Sequence, residues 1–387
     1  MPFFFGYKIQ FMKYWKTWSL TVLCLTIFAC SSDSDETTNP ENPDNENFDR
    51  KAMLVNWADN IIIPAYTDFS EKATSLKQQT EIFTDTPSEE NLKALRESWK
   101  TAYISFQNVS MFEIGKAEEL MFRERLNIYP TKKEAIEANI TNENYQITAT
   151  TAKDVQGFPA LDYLLNGLAE TDAETLTFYT TNTHAKGYKS YLDNLSENIS
   201  QLSDQVLADW EGSYRSTFVE NTSASATGSL NKLTNDYIYY FEKALRAGKI
   251  GIPAGNFSAE PLPEKVEAYY QTDFSKQLLL QSIKASMDFF DGKKFNSSAT
   301  GESFKSYLTY LKTDKNGENL GKLIDDQFAA AKSQAETLSD DLSKQITDDN
   351  SKMLATFDEL QRIVILMKVD LVQALNISID YVDADGD

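Results

Sequence analysis

Apolar residues recur every three or four positions through almost the whole chain after Phe48. One such stripe starts at Leu92 and Leu95 and continues to Phe112. No convincing run of alternating β-branched residues occurs, as a half-buried strand would need. Because this spacing matches the 3.6-residue period of an α-helix, the sequence predicts an all-α fold.

The same pattern sets the bounds of the longer predicted helices. Pro64 falls near the centre of the first helix and predicts a kink there. Gly115 is expected to end the second helix, and the glycine-rich run 246–255 is expected to form a turn after the fourth. The predicted helices span residues 52–79, 92–115, 178–207, 229–245, from the run 261–264 to 290, and 353–379.

Two short segments in different halves of the chain resemble each other. Residues 112–116 (Phe-Glu-Ile-Gly-Lys) and 246–251 (Arg-Ala-Gly-Lys-Ile-Gly) each close an aromatic-rich helix. We interpret them as traces of an internal duplication that produced two four-helix-bundle halves. The predicted organisation is a signal peptide over residues 1–29, a flexible tether over 30–48, a first half over 49–175 and a second half over 176–387.

The N-terminus has the pattern of a bacterial lipoprotein signal peptide. Lys13 and Lys16 precede an apolar run over residues 20–29, and residues 27–30 (Ile-Phe-Ala-Cys) are typical of a lipoprotein cleavage site. Cleavage would leave Cys30 acylated and the protein attached to the membrane through that lipid. The alternative is an uncleaved anchor, which is disfavoured because the apolar run of about ten residues is shorter than the roughly 20 that span a bilayer.

Residues 31–47 contain only polar residues and proline, so they predict a flexible acidic tether. An acidic run just after a lipidated cysteine resembles the surface-export signal of Bacteroidetes lipoproteins. We therefore expect an outer-membrane lipoprotein of the cell envelope, with display on the cell surface as a further hypothesis.

Charge and cysteine content exclude several classes of partner and site. The formal net charge is −21, and it becomes −24 when the signal peptide removes Lys8, Lys13 and Lys16. Such a charge disfavours nucleic acid as a partner. Because Cys24 leaves with the signal peptide and Cys30 carries lipid, no thiol remains for a disulfide, a thiolate metal site or a cysteine nucleophile.

A central stretch, residues 157–165 (Gly-Phe-Pro-Ala-Leu-Asp-Tyr-Leu-Leu), contains a glycine, a proline and one carboxylate beside a leucine stripe. Its leucines and Leu168 recur at helical spacing and predict one buried face. Pro159 suits a first helical turn, where an amide donor is not needed. Asp162 lies beside the buried face and is the candidate chemical group.

This stretch, the run 246–255, the segment around Glu267 and the ending 368–387 resemble the imelysin family of bacterial envelope proteins. The resemblance covers nearly the whole chain after Phe48. It implies two helical bundles with a site between them. The family was first described as an insulin-cleaving peptidase, and it includes iron-regulated proteins of iron-uptake systems.

The family motif Gly-x-His-x-x-Glu is altered in this sequence, because Pro159 takes the histidine position and Asp162 the glutamate position. A pair that could reach a metal has become a lone carboxylate. A hydrolytic metal site needs about three protein ligands, and we interpret His184, the only histidine, as an exposed surface residue. We therefore expect no proteolysis, with a metal-dependent peptidase as the alternative.

An all-oxygen metal site stays open as a hypothesis, because iron and other divalent or trivalent cations accept carboxylates alone. A solvated acidic surface is the alternative. The candidate metal ligands are Asp162, Glu113 and Glu118, with Glu119 beside them.

Basic residues predict a different kind of site. Arg125 near Tyr129, or Arg246 with Lys249, could pair with Asp162 or hold an anionic ligand such as a carboxylate, a siderophore or a heme propionate. Ion pairing between the halves is the alternative. The candidate ligand-binding residues are Gly157, Pro159, Asp162, Arg125, Tyr129, Arg246 and Lys249.

The leading hypothesis is a non-enzymatic lipoprotein that binds a ligand or metal in the groove between its two bundles. Through the resemblance, we expect a role in iron or heme uptake together with an outer-membrane uptake partner. An interaction scaffold without a small-molecule site is a third hypothesis.

Overall fold

The computed structural model describes residues 48–149 and 151–381, and this part of the chain is almost entirely helical. The predicted all-α fold is confirmed. The signal peptide, Cys30 and the tether up to residue 47 lie outside the described residues. Within the two described ranges, no helix is both long and apolar enough to cross a lipid bilayer.

Side-chain caps start several of the helices in the first part of the chain. The Ser88 hydroxyl accepts a hydrogen bond from the Asn91 amide at 3.2 Å at the start of the helix Glu89–Phe106. Such a cap stabilises the helix because it satisfies an amide that lacks a helical partner. The helices of this part are α1 (Arg50–Val55), α2 (Ile63–Asp85), α3 (Glu89–Phe106), α4 (Lys116–Leu120), α5 (Phe122–Leu126), α6 (Lys133–Asn142), α7 (Gly157–Asn166), α8 (Asp172–Thr180), α9 (Ala185–Asp209) and α10 (Arg215–Glu220).

The later part of the chain adds eight helices and a two-stranded antiparallel hairpin to the described structure. Asn319 caps the helix that follows the hairpin. These elements are α11 (Ser229–Tyr239), α12 (Ile252–Ala254), α13 (Ser275–Phe290), α14 (Phe304–Tyr310), β1 (Asp314–Lys315), β2 (Glu318–Asn319), α15 (Leu320–Glu336), α16 (Leu342–Asp349), α17 (Ser351–Ile365) and α18 (Val372–Leu375).

Two π-helical segments carry the chain through positions where interruptions were predicted. Asn56–Ile62 joins α1 to α2 in one continuous helical run, and Pro64 lies just after this π-helical segment. Tyr240–Gly251 joins α11 to α12, so the predicted turn at 246–255 is helical as far as Ala254. The predicted turn is wrong because a π-helix accommodates extra residues without ending the helix.

Three other predicted helices differ from the structure. The second ends at Phe106, well before Gly115. The third is divided into α8 and α9. The helix expected from the run 261–264 begins only at Ser275, because residues 266–274 are non-helical and Ala268 adopts a positive φ of 53°.

The helices pack in two groups of four. The first group contains α2, α3, α7 and α9, and the second contains the Tyr240–Gly251 segment, α13, α15 and α17. Phe158 stacks on Tyr103 at a ring distance of 4.4 Å in the first core, and Phe241 meets Phe328 at 5.6 Å in the second. Two bundle-like halves are thus confirmed, whereas the internal duplication is not.

Each group uses residues from both sides of the predicted boundary at residue 175. Trp57 packs against Phe289 and Phe304 in the second core, at ring distances of 5.1 and 4.7 Å. In the other direction, α9 lies along α2. Contact between α3 and α13 joins the two groups, and the site lies along this junction.

Candidate functional site

Gly157 starts the motif helix α7 with a conformation that only glycine adopts easily. Its φ is +76°, and a Cβ atom there would lie 2.3 Å from the carbonyl oxygen of Leu126. Gly157 therefore lets the start of α7 touch the end of α5. Pro159 follows in the first helical turn, as predicted, and is buried.

Asp162 is a buried hydrogen-bond acceptor without a basic partner among the described residues. Its Oδ2 accepts the Tyr270 amide at 2.9 Å, and its Oδ1 accepts the Gln271 amide and Asn166 Nδ2, each at 3.0 Å. Burial raises the pKa of this carboxyl to about 7, and the three hydrogen bonds oppose that rise. Asp162 thus holds the non-helical segment 266–274, which we call the cover segment.

The cover segment closes a cavity over α7. This motif cavity has a volume of about 270 Å³, and Tyr129, Pro159 and Asp162 all line it. Phe274, at the end of the cover segment, packs against Trp99 at a ring distance of 5.4 Å. Three of the predicted ligand-binding residues therefore share one cavity.

Lys249 forms a buried ion pair with the cover segment on the other side of Tyr129. Its ammonium contacts the Glu267 carboxylate and donates to Gln107 Oε1 at 2.9 Å. Asn127 Nδ2 also donates to Glu267, at 2.7 Å. Only 3% of Lys249 and 2% of Glu267 are exposed, and burial lowers the pKa of Lys249 while Glu267 opposes that change.

A second cavity, of about 220 Å³, lies beside this pair. We call it the central cavity, and its lining includes Tyr129, Lys249 and Arg123. Tyr129 thus separates the central cavity from the motif cavity, because its side chain lines both.

Arg123 joins α5 to α11 through two carboxylates. Its Nη2 lies 2.6 Å from Asp236 Oδ1 and 3.1 Å from Glu113 Oε2, and its Nε donates to the Ser110 carbonyl at 2.7 Å. Burial raises the pKa of Asp236 to about 7 and also raises that of Glu113, whereas Arg123 acts to lower both. The cluster keeps two acids next to one guanidinium.

A third cavity, of about 350 Å³, opens beside this cluster. We call it the acidic cavity because Asp236, Glu113, Glu118, Glu124 and Asp380 line it. Arg123, Tyr239, Glu113 and Glu124 also line the central cavity. The acidic, central and motif cavities therefore form a series along the junction of the two bundles.

Two of the predicted basic residues lie away from these cavities. Arg125 is buried and donates to Asn198 Oδ1 at 2.9 Å and to Gln156 Oε1 at 3.4 Å. Arg246 lies between the rings of Phe257 and Phe357, at 5.7 and 5.3 Å. Neither residue lines the three cavities or contacts Asp162.

The structure brings Glu113 and Glu118 to one cavity but places the other candidate metal ligands elsewhere. Asp162 lines the motif cavity, whereas Glu113 and Glu118 line the acidic cavity, and Glu119 pairs with Lys116 on the surface. Within residues 48–149 and 151–381, no group of three or more His, Cys, Asp or Glu side chains could hold a metal ion.

Arg123, Asp236 and Glu267 were missed as site residues. Asp236 carried a detectable signal, because it lies three residues after Leu233 on the apolar stripe of its helix, where a carboxylate is unexpected. Glu267 carried no such signal, since the cover segment has no regular spacing of apolar residues.

A family model described as Imelysin matches residues 62–364 of the chain. Iron-regulated protein A of Synechococcus elongatus is 22% identical over 125 residues, which are 31% of this chain and 34% of the relative. That alignment thus spans about a third of the length of the curated relative.

Two solved structures are similar in fold. An imelysin-like protein from Psychrobacter arcticum 273-4 has a TM-score of 0.64 at 18% identity, covering 86% of this chain and 97% of the other. A proposed iron-regulated protein A precursor from Parabacteroides distasonis has a TM-score of 0.68 at 16% identity, covering 84% and 95%. Such identities establish the shared fold alone.

Proposed function

Because the chain belongs to the imelysin family, we propose that it is a non-enzymatic binding protein of the cell envelope. Its site would be the series of cavities between the two helical groups. Its role would be in iron or heme uptake, as the iron-regulated names of its relatives suggest.

The observation that carries the proposal is the buried charge around these cavities. Four charged side chains are each at most 8% exposed, namely Asp162, Lys249, Glu267 and Arg123. Burying charged groups costs free energy even when they are paired, and such groups therefore concentrate at functional sites. Burial also changes the pKa of Asp162 and Lys249.

The side chains present favour a bound molecule over a bare metal ion. A structural or catalytic metal site needs several converging donors, and the described residues offer no such group. Iron would therefore arrive as cargo inside an organic complex or as heme. Pro159 supplies no metal ligand where the family motif has histidine, which argues against a peptidase.

The proposed location rests on the N-terminal sequence. Lipid on Cys30 would attach the protein to the outer membrane, and the acidic tether would let the helical part reach an uptake partner there. Globomycin treatment of expressing cells provides a test, because it blocks lipoprotein signal cleavage and should cause the larger precursor to accumulate. Unchanged processing would contradict the lipoprotein assignment.

The binding role is tested by titrating the protein with hemin, ferric nitrilotriacetate and zinc, following heme absorbance, bound metal and thermal unfolding. We expect saturable binding of hemin or the ferric complex. Tyr269, which is 38% exposed and lines the motif cavity, allows a mild test, and Tyr269→Ala should weaken binding about tenfold.

Tyr310→Ala is the matched control, because Tyr310 is 45% exposed and lines none of the three cavities. This variant should bind as the parent protein does. If neither hemin nor the ferric complex binds, the iron role is wrong. Chelator-sensitive peptide hydrolysis that is lost in Asp162→Asn would instead establish the peptidase alternative.

A further inference from the structure

We propose that the central cavity binds a small aromatic carboxylate. This site is separate from the motif cavity and does not depend on the iron role proposed above.

The first observation is a buried hydroxyl without a hydrogen bond. Tyr240 is only 1% exposed and lines the central cavity. Ser110 and Ser282 are the hydrogen-bonding neighbours of its hydroxyl and oppose the rise that burial causes in its pKa, but neither meets the hydroxyl with full hydrogen-bond geometry. Because an unsatisfied buried polar group costs roughly 1–3 kcal/mol, this hydroxyl marks a position for a bound acceptor.

Three cationic side chains in the cavity lining also have N–H groups that no described residue accepts. Lys249 uses two of its three N–H groups on Glu267 and Gln107. Arg123 engages its Nε and Nη2, while its Nη1 donates to no described residue. Lys265 lies within 4 Å of no described carboxylate.

The acids in the same lining are already engaged. Glu113 accepts the Arg123 amide at 3.1 Å and pairs with its guanidinium, and Glu124 pairs with Lys153. Because three cationic side chains of the lining have free donors and its acids are already paired, the cavity favours an anionic ligand over a cationic one. A carboxylate can accept several such hydrogen bonds. A cation would find only acids that are already paired.

The walls and volume of the cavity determine which group the carboxylate is attached to. Tyr129, Tyr239 and Tyr240 provide aromatic surface, and rings of this kind pack against another ring. The volume of about 220 Å³ is below the range of roughly 300–1,000 Å³ for drug-sized ligands. A single ring that carries one carboxylate fits these limits.

The experiment uses benzoate, the neutral benzamide and the cationic benzylammonium, each titrated into the protein by calorimetry and by saturation-transfer NMR. We expect saturable benzoate binding, at least tenfold weaker benzamide binding and no benzylammonium binding. Benzoate binding should weaken as salt rises, because its carboxylate faces cations.

Variants at two positions locate the site. Tyr240→Phe should weaken benzoate binding about tenfold while leaving the unfolding temperature unchanged or higher, because it removes a hydroxyl that forms no hydrogen bond. Lys265→Gln should weaken binding about threefold, and Lys265→Arg should restore it. Tyr310→Phe is the matched control and should change nothing.

Absence of saturable benzoate binding would overturn the proposal. Equal binding of benzylammonium, or unchanged benzoate affinity in Tyr240→Phe, would overturn it as well. Because hemin and ferric probes play no part in these titrations, failure of the iron role and failure of the carboxylate site give different results.

Discussion

Gly157 and Asp162 lie on the same short helix and serve the site in different ways. Gly157 lets the backbone of α7 approach the carbonyl of Leu126, which no other residue type could do without displacement. Asp162 accepts two backbone amides of the cover segment. At the scale of single residues, the motif therefore positions the wall of the motif cavity.

Replacement of Gly157 by alanine is expected to destabilise the fold by about 2–4 kcal/mol, because a positive φ and a clash with backbone act together. Gly317→Ala separates the two causes, since Gly317 has a φ of +86° but open space around a Cβ. That control should lose only about 1 kcal/mol. Urea unfolding measures both variants, and equal losses would show that the Leu126 contact does not matter.

Asp162 should make stability depend on pH. Its pKa rises from 3.8 to about 7 in the folded protein, so the folded state binds more protons than the unfolded state between these values. Stability should therefore fall as pH rises from 4 to 7, by up to about 1.4 kcal/mol per pH unit from this group. Urea unfolding across this range should give a correspondingly flatter profile for Asp162→Asn.

Asn166→Ala is the control for that measurement. It removes one hydrogen bond to Asp162 and keeps the buried carboxylate, so the pH dependence should persist. Identical profiles for the parent protein and Asp162→Asn would contradict the assignment.

At the scale of elements, charged clusters connect segments that are distant in sequence. Lys249 ties the Tyr240–Gly251 segment to the cover segment through Glu267. Arg123 ties α5 to α11 through Asp236. These links lie beside the cavities and fix the relative positions of their walls.

Arg123→Met should destabilise the fold by up to about 3–5 kcal/mol, because it removes a buried cation and leaves the partly buried carboxylates of Asp236 and Glu113 unpaired. Adding Asp236→Asn should recover more than half of the loss, since one of the unpaired charges disappears. Denaturant unfolding of the single and double variants gives the coupling free energy between Arg123 and Asp236. If the two effects simply add, the ion pair does not hold these elements together.

At the scale of the whole molecule, the surface carries a large excess of negative charge. The formal net charge is −21 at pH 7, and the isoelectric point is about 4.6. Repulsion among these charges opposes the compact state. The cations at the central cavity stand out against this acidic background.

Sodium chloride should therefore raise the unfolding temperature at pH 7 when its concentration increases from about 10 to 150 mM, because the screening length falls from roughly 30 to 8 Å. The same addition near pH 4.6, where the net charge is close to zero, should have little effect. Differential scanning calorimetry at both pH values makes the comparison. An equal rise at both would mean that charge repulsion is not the cause.

The sequence by itself determined the all-α class and the place of Pro159 in the first turn of α7, because helical period and the geometry of proline depend on neighbouring residues. It also identified Tyr129, Asp162 and Lys249, which line the cavities. These features follow from local pattern or from single unusual residues.

Tertiary structure alone decided which residues meet. The cover segment lacks a period, and its conformation depends on Asp162, which is 108 residues before Tyr270. Arg125 and Arg246 are arginines like Arg123, yet packing places Arg125 against neutral amides and Arg246 between two aromatic rings beside Glu242. Charge pairing over such separations depends on how helices pack, and no local pattern encodes it.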